Sequence, residues 1–141
     1  MLSYPAGELA TYVSPPSRLI EDAFAVLRDV LLQLKSLGAS RGFQPVVLLI
    51  PSPSAVLGRL ALLHHPDILV QLRKHGVTID PAQLDFAQPT RRVLAICAEL
   101  ELTCIDPTRE LKQLGARAFF ARDEHPTAAG HDALARALLG P

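Results

Sequence analysis

The chain has 141 residues, and fourteen Lys plus Arg balance fourteen Asp plus Glu, leaving no net charge. Apolar residues make up 49% and charged residues 20%, which argues against disorder and against a nucleic-acid or membrane-surface partner needing a basic stripe. The length predicts a single domain over 1–141 with enough chain to bury a core, and two Cys are too few for a disulfide scaffold or a cysteine-rich zinc site.

The N-terminal stretch MLSYPAGELATYVSPPS has neither a basic n-region nor an apolar h-region, so it does not read as a signal peptide. The longest apolar run, Val46 to Pro51, is too short for a membrane span. The chain therefore reads as soluble, and nothing in it specifies a compartment. Residues 1–17 hold three prolines and no helical period, and read as an irregular lead-in. Ser17 is placed to cap a helix, with Glu21 and Asp22 early in it. From Arg18 to Leu37 the apolar residues Leu19, Ile20, Ala23, Phe24, Leu27, Val30, Leu31 and Leu34 follow helical spacing, and Gly38 reads as the stop.

Val46–Ile50 is short, β-branched and apolar on both faces, and predicts a strand of a parallel sheet covered by helices. Residues 55–75 are weakly helical and divided by Pro66; 77–85 read as loop. A helix is expected from Thr90 to Leu100, a strand over Leu102–Asp106 and a short helix over Thr108–Leu114. An Ala/Leu-rich helix closes the chain from Asp132 to Leu139. This order is α/β. Only two strands are evident, which is few for a parallel sheet.

The cluster Asp123-Glu124-His125-Pro126 carries the strongest chemical signal. A carboxylate on one ring nitrogen fixes the tautomer of a His and stabilises its imidazolium, leaving the other nitrogen to take a proton from a nucleophile. A tight loop would let an Asp two residues away do this, with Thr127 capping the last helix. The competing reading is a polar surface loop with a helix cap.

Asp123-Glu124-His125-Pro126-Thr127-Ala128-Ala129-Gly130-His131, followed by an Ala/Leu helix, resembles the last block of the SGNH (GDSL-type) hydrolases. Within that family the branch related to polysaccharide O-acetylation proteins is the most similar. The apolar strand at 46–52 and the helix-strand unit at 91–106 are similar in pattern, so the resemblance covers about 18–139. It implies a three-layer, flavodoxin-like parallel sheet, incomplete here with its two strands. It implies acyl hydrolysis or transfer by a Ser-His-Asp mechanism, with His125 as general base and Asp123 as its orienting carboxylate. Much of the family carries that Asp three residues before the His; Arg122 stands there in this chain, and Glu124 is the alternative acid. The implied substrate is an O-acylated small molecule or carbohydrate, with no metal and no organic cofactor.

The family's nucleophile lies in a Gly-Asp-Ser block, and its oxyanion hole adds a Gly and an Asn. This chain has no Gly-Asp-Ser and no Asn at all, so it lacks the donors that supply the largest electrostatic contribution. It reads as the later part of such a hydrolase, inactive alone. Ser52 and Ser54 follow the first strand, but flanking Pro51 and Pro53 remove backbone donors, and no helix start is evident there; a loop lining a pocket is the expected role. His64-His65 and His131 read as helix-surface residues rather than metal ligands, Asp106 as a turn residue, and Cys97 and Cys104 as buried thiols. Arg91, Arg92 and Arg117 are too scattered for a phosphate site, and no Gly-rich loop marks a nucleotide domain. The rival reading is a non-catalytic binding or assembly module that self-associates through an exposed strand edge.

Overall fold

The computed structural model describes residues 9–58, 80–121 and 123–140. The expectations for 59–79, His64 and His65 among them, lie outside the described residues. The described chain is α/β in the broad sense. Two small sheets are present, a parallel pair and an antiparallel pair, each packed with helices.

Helix α1 spans Arg18–Arg41, and Ser17 caps it by accepting a 3.4 Å bond from the Ile20 N–H. The helix runs through the expected stop. Gly42 ends it, in the left-handed region at φ 73°, while the Phe43 N–H reaches back to the Gly38 carbonyl at 3.0 Å. Gly38 serves closeness instead: a Cβ there would lie 2.7 Å from the Phe43 carbonyl oxygen and 2.8 Å from Pro45 Cδ. The chain turns tightly across Gly38 into strand β1, Val46–Leu48.

β1 pairs in parallel with β2, Thr103–Ile105, in the register Val46 to Thr103 and Leu48 to Ile105. Leu49 adds an N–H bond to the Ile105 carbonyl. Both strands are shorter than the apolar runs that contain them. β1 is not covered on both sides as its composition suggested, since Val46 is 52% and Ile50 66% exposed. Among the described residues nothing pairs with its other edge.

After β1 comes a short helix α2, Pro53–Leu57, and later a single 3₁₀ turn at Pro81–Gln83. Helix α3 spans Gln88–Glu99, starting two residues before the expected Thr90. Residues 9–13 of the expected irregular lead-in are docked. Leu9 and Tyr12 are buried, Val13 bridges Leu84, Asp85 donates its N–H to the Tyr12 carbonyl, and the buried Gln88 amide reaches the Thr11 and Val13 carbonyls.

α1 and α3 cover one face of the parallel pair. Leu31, Cys97 and Leu100 form the core there, with Leu27, Leu34, Val47 and Cys104 packed around them. Cys97 and Cys104 are joined in a disulfide, which corrects the expectation of free thiols. The reason is the turn between them: Leu102 donates its N–H to the Cys97 carbonyl, folding β2 back under α3 and bringing the two Cα atoms to 6.1 Å, within disulfide range. Glu101, at φ 52°, absorbs the reversal.

Charged side chains rim the same contact. Arg92 holds Glu21 with its two terminal guanidinium nitrogens and lies 4.4 Å from the centre of the Phe24 ring. Arg28 meets Glu99, and Lys35 meets Glu101 at 3.0 Å. The hydrogen bonds from these cations hold the carboxyls of Glu21, Glu99 and Glu101 below the ordinary range.

The C-terminal part comprises α4 at Thr108–Leu114, a 3₁₀ turn at Gly115–Ala118, and the antiparallel strands β3 (Phe119–Phe120) and β4 (Asp123–Pro126). Helix α5 spans Ala128–Leu139, longer at its start than expected. Val56, Leu111, Ala118, Phe119, Ala133 and Leu134 form its core. Among the described residues no helix is long and apolar enough to cross a membrane.

Two outcomes follow. Gly130 lies so close to the end of the 3₁₀ turn before β3 that a Cβ would sit 2.2 Å from the Ala118 carbonyl oxygen. Gly130→Ala should therefore cost about 2–3 kcal/mol, read from urea unfolding midpoints; an unchanged midpoint would refute that packing. Second, carboxylates with depressed folded pKa values lend stability above their unfolded value, near pH 4.3 for Glu, and lose it as pH falls below that. Stability should drop as pH falls through this range, and less so in a Glu21→Gln variant. Because these pairs are exposed, the contribution should shrink at high salt.

Candidate functional site

The block read as catalytic is a strand, not a tight loop. Asp123 to Pro126 form β4, pairing with β3 in the register Phe119 to Pro126 and Phe120 to Asp123, with an irregularity between. Polar residues with a terminal Pro make a poor strand on propensity. The pairing survives because Phe119 is anchored in the core and α5 locks the far end.

That lock centres on Thr127. Its Oγ1 accepts the Gly130 N–H at 3.2 Å, capping α5 as expected, and its hydroxyl donates to the Arg117 carbonyl at 2.7 Å. Its own N–H donates to the Ala118 carbonyl at 2.9 Å. One residue thus fastens β4, α5 and the preceding 3₁₀ turn together. His125, two residues earlier, is exposed on this fixed strand, and Glu124 is partly buried. Asp123 opens β4 at its pairing with Phe120. His131 is exposed in the first turn of α5, its N–H bonded to the Thr127 carbonyl.

A pocket of about 200 Å³ opens beyond the carboxyl end of β1. Ile50, Pro51, Ser52, Tyr12 and Thr90 are among its walls. Ser52 lines it as expected, but a helix does begin there: the Ser52 Oγ accepts the Ala55 N–H at 3.4 Å and caps α2. The same oxygen lies 2.7 Å from the Tyr12 hydroxyl. Sequence reasoning missed Tyr12, because its approach depends on the docking of residues 9–14 against 83–88.

His125 is not among the walls of the Ser52 pocket. The two regions share a core, since Val56 of α2 packs with Ala133 and Leu134 of α5. Asp106 closes the turn into α4, accepting the Thr108 N–H at 3.0 Å and its hydroxyl. Arg91 is tied to Asp85 and Arg92 to Glu21, and neither forms an anion site.

Comparison with protein-family models, with curated proteins and with solved structures finds no match to this chain.

Thr127→Val keeps the shape and removes the cap and its back-bond. It should cost about 1–2 kcal/mol, while Thr127→Ser should recover most of the loss. Thermal unfolding of both variants measures this, and equal melting temperatures would show that Thr127 does not hold the junction.

Proposed function

We propose that this chain carries the His-Asp part of an SGNH-type acyl hydrolase or acyltransferase, in a flavodoxin-like α/β arrangement. The observation that carries this reading is His125: exposed, on a strand whose end is fastened by the Thr127 bonds, immediately before the last helix. A base so mounted loses little entropy on presenting a ring nitrogen to an acyl-transfer centre.

In this reading His125 takes the proton from an attacking serine hydroxyl and returns it to the leaving oxygen. Asp123 holds the ring and stabilises the imidazolium, with Glu124 as the alternative acid. The nucleophile in this reading is the serine of a Gly-Asp-Ser block, which these residues lack; the Ser52 hydroxyl instead meets Tyr12 and caps α2. The substrate is an O-acylated small molecule or carbohydrate, and the chemistry requires no metal or organic cofactor. A second reading, a non-catalytic assembly module, is favoured by the edge of β1 that has no partner among the described residues.

The His125 ring distinguishes the two. Its ¹⁵N shifts should show one fixed tautomer, released towards the averaged pattern of free imidazole by Asp123→Asn or, if Glu124 is the acid, by Glu124→Gln. An averaged ring in the unaltered chain, indifferent to both substitutions, would leave the assembly reading. The chain alone should hydrolyse p-nitrophenyl acetate no faster than background. Turnover lost on His125→Ala would show instead that a serine within the chain is the nucleophile.

A further inference from the structure

Helix α1 has three kinds of surface. Glu21, Phe24, Arg28 and Lys35 face α3 or its C-terminal turn. Leu27, Leu31 and Leu34 face the core above the parallel strands. Leu19, Ala23, Val26, Val30, Gln33 and Leu37 are all exposed. Leu19 is exposed at 76%, Val26 at 63%, Val30 at 53% and Leu37 at 48%. At 3.6 residues per turn these six form one stripe, roughly half a turn round from the residues that meet α3.

Their spacing alternates four and three, which is the seam of a coiled coil. Open apolar seams of this kind mark interaction sites more often than solvent faces. The sheet is open on the same flank. β2 lies under α3, and β1 has no partner on the side away from it among the described residues.

We propose that this flank is a homodimer interface, occupied by the α1 flank of a second copy of the chain running antiparallel. The stripe is self-complementary, as a two-fold interface requires. Reversed on itself about position 28, it sets Leu19 against Leu37, Ala23 against Gln33 and Val26 against Val30. The antiparallel arrangement also places the amino end of each helix beside the carboxyl end of the other, where their dipoles attract. From Leu19 to Leu37 the seam is about 27 Å long at 1.5 Å per residue. Six positions from each copy, with the flanking β1 edges, bury on the order of 1,000 Å², the lower range for a specific interface. The pair is therefore a reversible dimer.

Sedimentation of the full chain at concentrations from about 5 to 200 µM should show a monomer–dimer equilibrium. Val26→Glu with Val30→Glu should leave a monomer of unchanged far-UV circular dichroism, since both positions are exposed in the folded chain. Cysteine cross-linking tests the direction. The double substitution Leu19→Cys with Leu37→Cys should give a covalent dimer on oxidation, and Leu19→Cys alone should not. A monomer throughout the concentration range overturns the proposal and assigns the flank to a different partner or to water. A dimer that survives both glutamates, or one cross-linked by Leu19→Cys alone, overturns it equally.

Discussion

A parallel pair of three-residue strands has little side-chain surface with which to cover itself. β1 and β2 exchange few backbone bonds, and their outer residues Val46 and Thr103 are exposed. Their stability rests on the layer above. α1 and α3 must therefore be held to each other as firmly as to the sheet. That need accounts for the disposition of charge in this half. The cross-links of Arg92 to Glu21, Arg28 to Glu99 and Lys35 to Glu101 run along one helix-helix seam, and Phe24 adds its ring beneath Arg92. Each is worth little in water. Their position at the rim of the Leu31–Cys97–Leu100 core matters more than their number.

The Cys97–Cys104 disulfide belongs to the same solution. It ties the end of α3 to β2 where only three residues turn the chain, fixing the strand against its covering helix. A β-strand connected so tightly to its helix cannot slide in register without dragging α3 along it. The register of β1 on β2 is thereby set from above rather than by the few ladder bonds.

How much of this could be read beforehand follows from the range of the interactions. The helical period of α1, the caps at Ser17 and Thr127, and the two apolar strands are local patterns, and each appears where the residues indicate. The misread features all depend on distant partners. Gly38 looked like a stop because glycine usually ends helices; its need is set by Phe43 and Pro45 folding back on it. Asp123–Pro126 looked like a loop because nothing local favours a strand; β3 and α5 impose one. The disulfide was missed because a seven-residue spacing has no signature until the turn at Glu101 is known. At the candidate site, the residue types and the cap were legible, while the strand that carries His125 was not, because two short strands do not reveal which sheet each will join.

The two halves also differ in how they end. Around α5 the packing is closed: Gly130 is pressed onto the Ala118 carbonyl, Thr127 takes up the backbone groups at the junction, and Ala133 and Leu134 fill the core. Such a junction resists displacement, because moving α5 breaks the cap, the back-bond and the core together. Around α1 the layer stops with an apolar seam in water and, among the described residues, an unpaired strand edge. His125 stands on the closed half and the open flank lies on the other. Burial of the flank therefore adds stability to the α1–α3 layer without requiring any change in the strand that carries His125. The molecule thus separates its exposed apolar flank from the strand that carries His125.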